Sequence, residues 1–496
     1  MLFDSLLASA AEAPRSGVHQ AGRFTPYSEM AERAGRIATA LIERGVARGT
    51  PVGILMVNGP ELLTLAYAVF AAGGIAVPLN AHAPRPELAA TARKAHVASV
   101  IASQPYSEIA AGLIDDLGGT GRYPLFISGG DGANSVEELA RSPYGQLPKI
   151  RPDDTALYMF SSGSTGIPKV VPHTHGELLY ARYLPETRRP YEHDDVMINM
   201  MPGSHAMGFL SATGIAMWGG STFYWSDPQP MMLSKGRFAH AIADNGVTTV
   251  IGVPFMYDAI ASVADELDFS RVRTFLSGGV AMRKEIFERF DKRFGRRIRQ
   301  AYGSTECLGI SSNEAPEAEI IWDSVGTITP GVEFELVHAD NPFGAEFGEI
   351  VVASPMITKG YLDAPEVNAQ TLRDGKFYTG DLGTLAANGQ LFVKGRTKLL
   401  IEVAGHKVDP FEIEEVLGTH PAVAEAVVVG VPDPRTGEQR LKAVIVRSAD
   451  ADADTLVRYC RERLASQKVP TLIEFRDEIP KSAAGKPLRG KLMEVA

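Results

Sequence analysis

From Met159 to His173 the chain reads Met-Phe-Ser-Ser-Gly-Ser-Thr-Gly-Ile-Pro-Lys-Val-Val-Pro-His. Ser162, Ser164 and Thr165 supply hydroxyls, Gly163 and Gly166 supply backbone freedom, and Lys169 supplies positive charge. Glycines let successive N–H groups turn towards one point, hydroxyls add donors, and an ammonium adds attraction, so the stretch is suited to holding a polyphosphate. It is not a Walker loop, which has four residues between its glycines and ends in Gly-Lys-Ser/Thr. Here two residues separate Gly163 from Gly166, and Lys169 follows Pro168. A surface linker has the same Ser/Gly composition, and this stretch alone does not separate the two.

Other residues with chemical potential each have an ordinary reading. His205 lies among apolar neighbours in Asn199 to Phe209, where a lone histidine is more often structural. Glu306, in Tyr302-Gly303-Ser304-Thr305-Glu306, could be a surface carboxylate, and Asp381, in Phe377 to Gly383, a turn aspartate. Lys486 closes Pro480-Lys481-Ser482-Ala483-Ala484-Gly485-Lys486, near a terminus where lysines are ordinarily solvated.

Taken in order, these pieces resemble the adenylate-forming superfamily, which contains acyl- and aryl-CoA synthetases, peptide-synthetase adenylation domains and firefly luciferases. Ser162 to Lys169 resembles its signature loop, and the resemblance runs up to Lys486. It implies ATP and Mg²⁺ as cofactors. Lys486, His205, Glu306 and Thr165 would be the catalytic set, with Glu306 and Thr165 facing the metal. Ser162, Gly163, Ser164, Thr165, Gly166 and Lys169 would hold the β- and γ-phosphates. Gly278, Gly279 and Tyr302 would flank the adenine, and Gly303, Ser304, Thr305 and Glu306 would complete that side. Asp381 would accept both ribose hydroxyls, which one carboxylate can do with two oxygens. Arg396 would reach ribose or phosphate, and Lys398 would be the hinge.

The implied reaction has two halves: formation of an acyl-adenylate with loss of pyrophosphate, then attack by an acceptor. His205, Met207, Phe209, Val253, Phe255, Ser277, Gly278 and Gly303 fall at the family's acid-pocket positions, and most are apolar. The 199–209 segment lacks the aspartate that pairs with an α-ammonium, so a non-amino acid, aryl or medium-chain, is expected. Glycine at 278 and 303 would leave room for a flat ring. Coenzyme A is the expected acceptor. A free amine or a separate carrier protein is the alternative, and an inactive nucleotide sensor is a third reading that retention of Glu306, Asp381 and Lys486 opposes.

These residues need a frame. Pro51 to Val57, Gly74 to Leu79 and Ala98 to Ala102 read as strands, with helical character over Glu61 to Ala72, a β-α-β rhythm. Asn58-Gly59-Pro60 supplies a cap and a first-turn proline. The expected fold is α/β: a large N-terminal domain of mostly parallel sheets covered by helices (1–395), a hinge (396–400) and a small mobile α+β C-terminal domain (401–496). Asp409, Pro410 and Glu412 form a helix start with a capping box. A helix from about Thr455 to Ser466 should bury Cys460.

The 496 residues carry net charge −10 (49 basic, 59 acidic) with no long basic run, which argues against a dedicated nucleic-acid binder. Leu62 to Leu79 is the most apolar stretch, but Gly73, Gly74 and Pro78 interrupt it, so a buried helix and strand are expected rather than a membrane span. Two distant cysteines, Cys307 and Cys460, fit a reducing cytoplasmic setting. Oligomeric state is not legible here.

Overall fold

A computed structural model describes the chain except residues 120–123, 162–167, 182–193, 217–219, 226–234, 339–340, 404–405, 433–438, 482–484 and 494–496, and the side chains of 215, 216, 235 and 398. Two compact units emerge. The first comprises Met1–Gly163, Ile167–Val332 and Ala353–Gly375; the second comprises Glu333–Val352 and Lys376–Ala496.

The first unit contains two sheets. In one, Leu125–Ser128, Ser99–Ser103, Pro51–Leu55, Ile75–Leu79 and Thr155–Ser161 run parallel in that order. Lys169–Thr174 closes it antiparallel to Thr155–Ser161. In the other, the neighbouring strands Arg299–Ser304, Thr274–Gly278, Thr249–Gly252, Val196–Asn199, Thr222–Trp225 and Gly17–Gln20 are parallel. Leu308–Ser312 and Ser324–Ile328 extend it antiparallel.

The apolar stretch is the helix Pro60–Ala72 followed by the strand Ile75–Leu79, as its composition predicts. Every side chain from Leu62 to Ala72 is buried, in a core that also takes Ile54 and Ala76 from one sheet and Met197 and Phe223 from the other. A fully buried leucine here contributes about 1.5–3 kcal/mol. Gly73, at φ +82°, ends the helix in the left-handed conformation that only glycine adopts without strain. Among the described residues no helix is long and apolar enough to cross a membrane.

The second unit has strands Glu333–His338, Gly348–Ala353, Lys376–Leu385 and Gln390–Arg396 in sheet order, and a separate sheet of Val423–Pro432, Gln439–Arg447 and Leu472–Arg476. Asp409 caps the helix Pro410–Gly418 by accepting from Phe411 N at 3.2 Å. Glu412 does not close a capping box; both its oxygens accept from Lys468 Nζ, at 2.8 and 2.7 Å. Asp452 caps Ala453–Arg461. That helix stops five residues before the expected Ser466, and a separate 3₁₀ turn spans Ser466–Lys468. Cys460 is fully buried, as its helical face requires.

Candidate active site

Val196–Asn199, Thr249–Gly252, Thr274–Gly278 and Arg299–Ser304 are parallel neighbours, so their carboxyl ends share one edge. That edge is where open α/β sheets bind ligands. The first strand leads to the His205 loop, the second to Val253, the third to Gly278-Gly279 and the fourth to Tyr302–Glu306. Residues separated by about a hundred positions are thereby gathered by topology.

His205 caps the short helix Ala206–Leu210, Nδ1 accepting from Met207 N at 3.3 Å. Its loop is fastened by asparagines. Asn199 Oδ1 accepts from Met201 N at 2.7 Å. Asn58 Nδ2 donates to Met201 O at 2.9 Å, and Asn58 Oδ1 accepts from Gly203 N at 2.7 Å. The Asn58-Gly59-Pro60 stretch supplies its cap through Gly59 and its first-turn proline through Pro60, and the buried Asn58 amide serves the histidine loop.

Thr305-Glu306-Cys307 turns the hairpin between Arg299–Ser304 and Leu308–Ser312. The turn is pinned at several atoms. His173 Nε2 donates to Thr305 O at 2.8 Å, while its Nδ1 lies 3.2 Å from Glu177 Oε2. Thr358 N donates to Glu306 O at 2.9 Å, and Ser304 Oγ accepts from Cys307 N at 3.1 Å. Glu306 is buried, and its Oε1 accepts from Tyr361 Oη at 2.8 Å. No described donor reaches Oε2. Lys169 begins the return strand opposite Ser161, with Nζ 4.8 Å from the centre of the Tyr361 ring.

The acid-pocket positions divide. A Cβ on Gly278 would lie 3.1 Å from Met207 Sδ, so these two positions share a wall. Phe209 is buried in the core, Val253 caps the helix Pro254–Ala261, and Phe255 is 37% exposed. Ser277 belongs to the opposite face. It lies in register with Gly252, whose missing Cβ faces Met256 and Tyr257, and shares its face with Phe275, which packs on Tyr257 and Phe290. Gly303 leaves no room for a ring: its Cβ would fall 1.9 Å from Leu308 O, at the bulge between Tyr302 and Gly303. The hairpin requires glycine there for its own backbone. Gly279 instead needs glycine for its φ of +76°.

In the second unit Asp381 and Arg396 are partners across neighbouring strands. Arg396 Nε donates to Asp381 Oδ1, and Nη2 donates to Oδ2 at 3.3 Å. Asp381 is buried, its N–H donates to Thr379 Oγ1 at 3.0 Å, and a carboxylate with about four acceptor sites can hold this fork and still take hydroxyls. Lys486 is half-buried on a segment closed by the bridge Lys481↔Pro487 and by Leu488 N donating to Pro480 O at 2.8 Å. Lys481 itself pairs with Glu425 at 2.8 Å. Three residues on, Arg489 donates to both oxygens of Glu414, at 2.5 and 3.0 Å, and to Val428 O at 2.5 Å. Burial raises the Glu414 carboxyl, and Arg489 opposes the rise. The backbone of Lys398 lies in a 3₁₀ turn. Ser162, Gly163, Ser164, Thr165 and Gly166 lie outside the described residues, as do Ala404 and Gly405.

The shared carboxyl edge of these parallel strands is the ligand-binding edge of an α/β enzyme fold. Residues 8–362 match the AMP-binding enzyme family and residues 412–486 match its C-terminal domain, so the chain belongs to that family, the adenylate-forming superfamily. A feruloyl-CoA synthase of Amycolatopsis sp. is 33% identical over 490 residues, covering 96% of this chain and 95% of the relative. A benzoate CoA ligase structure from Burkholderia xenovorans superposes with TM-score 0.86 at 26% identity, covering 99% of both chains. An amide bond synthetase structure from Marinactinospora thermotolerans superposes with TM-score 0.85 at 26% identity, again covering 99% of both.

Proposed function

We propose that the protein is an AMP- and pyrophosphate-forming acid–thiol ligase, which activates a non-amino aryl or medium-chain carboxylic acid with ATP and passes the acyl group to coenzyme A. The observation that carries this reading is the shared sheet edge, on which the His205 loop, Gly278-Gly279 and the buried Glu306 turn converge. The feruloyl- and benzoate-CoA enzymes among its relatives support an aryl acid and coenzyme A.

Attack of the carboxylate on the α-phosphate builds negative charge on phosphoryl and leaving-group oxygens, so cationic and hydrogen-bond stabilisation is the main task. Lys169 and the Ser162–Gly166 loop take the β- and γ-phosphates, and Lys486 supplies the ammonium that bridges carboxylate and α-phosphate. Asp381, held square by Arg396, takes the ribose hydroxyls. Tyr302 and the Gly278-Gly279 backbone flank the adenine. Mg²⁺ fits the donor set at Glu306, because it favours carboxylate and phosphate oxygens and keeps several waters, so one protein carboxylate suffices. When bound it neutralises phosphate charge, and Glu306 Oε2 with Thr165 would hold it. Residues 401–496 form the mobile domain in this reading, pivoting at 396–400 about Lys398 between the two half-reactions. Both cysteines are buried, as Cys307 and Cys460 would be in a chain held in a reducing cytoplasmic setting.

A free amine is the second acceptor reading, favoured by the likeness to the amide bond synthetase. Incubating purified protein with ATP, Mg²⁺ and an acid panel, first with coenzyme A and then with simple amines, separates the two by product mass. Thioester products with aryl or medium-chain acids are expected; amides formed while thioesters are absent would overturn the first reading.

A further inference from the structure

We infer that Tyr361 is a positioning residue for adenylation: its hydroxyl orients the Glu306 carboxylate and its ring seats the Lys169 ammonium. The inference rests on the assignment of Glu306 as the metal-facing carboxylate. Tyr361 lies in Lys359-Gly360-Tyr361, a stretch that resembles one of the family's weaker landmarks and reads as a structural turn or strand.

The ring is 7% exposed, and its placement is overdetermined. Asn368 grips the Tyr361 backbone from both sides, Oδ1 accepting from Tyr361 N at 2.8 Å and Nδ2 donating to Tyr361 O at 2.9 Å. The flanking residues are sewn to the strand that starts at Lys169: Thr358 Oγ1 donates to Pro172 O at 2.6 Å, and Leu362 N donates to Val170 O at 3.0 Å. From this fixed backbone the hydroxyl donates to Glu306 Oε1 at 2.8 Å, and Lys169 Nζ stands 4.8 Å from the ring centre. A single side chain therefore touches Lys169 through its ring and, through its hydroxyl, the carboxylate that would hold the metal. With Oε1 occupied by the phenol, Glu306 is held in one rotation and offers Oε2. Donation to a carboxylate is charge-assisted and directional, and an aromatic face attracts an ammonium.

The test compares Tyr361→Phe, Tyr361→Leu, Glu306→Gln and the Glu306→Gln/Tyr361→Phe double variant. Two readouts are used: the Mg²⁺ dependence of acid-dependent pyrophosphate exchange, and calorimetric binding of ATP with Mg²⁺ and with EDTA. Tyr361→Phe keeps the ring and removes the donor. It should raise the Mg²⁺ concentration for half-maximal exchange and the Kd of MgATP by about tenfold, the low end for loss of an outer-shell partner, while ATP binding in EDTA stays unchanged. Tyr361→Leu should weaken ATP binding in EDTA as well, because Lys169 loses its seat. In the double variant the Tyr361 loss should disappear into the Glu306 loss. Equal weakening of ATP binding with and without Mg²⁺ in Tyr361→Phe, or additive losses in the double variant, would show a purely structural role and overturn the inference. If Tyr361→Phe leaves the Mg²⁺ dependence unchanged while Glu306→Gln shifts it, only the role of Tyr361 fails; if Glu306→Gln leaves it unchanged too, the metal assignment fails and takes this inference with it.

Discussion

Replacing Gly303 with alanine should disable adenylation through the backbone alone. The added Cβ would fall 1.9 Å from Leu308 O and 3.0 Å from Leu308 C, whereas real Cβ contacts do not fall below 3.0 Å. The hairpin must therefore open by about 1 Å (3.0 less 1.9), and the obstacle is backbone, with no rotamer to relieve it. Tyr302 and Glu306 flank that point on the same hairpin, so both move. A misplacement of this size costs about 100-fold in rate, and the local overpacking costs about 1–3 kcal/mol of stability. The assay is acid-dependent pyrophosphate exchange at saturating ATP, run well below the variant's own melting temperature and alongside circular dichroism. Gly278→Ala is the matched control: its Cβ would meet Met207 Sδ at 3.1 Å, the movable end of a flexible side chain. It should lose far less exchange activity than Gly303→Ala and shift the preference among acids. A Gly303→Ala enzyme exchanging within a few-fold of the parent would refute the reasoning.

Lys486→Ala should abolish acid-dependent pyrophosphate release yet leave transfer from a supplied acyl-adenylate largely intact; equal loss of both halves would refute that division of labour. Asp381→Ala should raise KM for ATP more than KM for the acid, and the opposite ranking would count against the ribose contact. His175, 1% exposed, has no hydrogen-bond partner for either ring nitrogen among the described residues, and burial holds its pKa down at about 4 against an ordinary 6.5. The unfolded chain therefore takes the proton first, so stability present above about pH 6.5 is lost as pH falls towards 4, by about 3 kcal/mol in all. His175→Phe should flatten that part of a melting-temperature series; an unchanged pH slope would refute it.

Local pattern and composition made much of the frame legible. The helix Pro60–Ala72, the strand Ile75–Leu79 that follows it and the Asp409 cap of the helix Pro410–Gly418 all announce themselves within a dozen residues. Contacts between distant segments did not. Asn58 reaches Met201 and Gly203, Glu412 turns to Lys468, and Tyr361 meets Glu306 across 55 positions. Each looks like an ordinary cap or turn residue until packing supplies the partner. Ser277 and Gly278 illustrate the same limit at close range, since adjacent strand residues face opposite ways and only the register says which way each one points. In the sequence Gly303 reads as room for substrate, because a missing side chain is visible there and the Leu308 carbonyl that fills the space is not.

Above all else, the chain joins a carboxylic acid to AMP. Exchange of labelled pyrophosphate into ATP, driven by a broad acid library at saturating Mg²⁺, tests it without reference to any acceptor. Exchange that depends on at least one apolar, non-amino acid is the predicted result. Folded protein that exchanges no label with any acid in the library would contradict it.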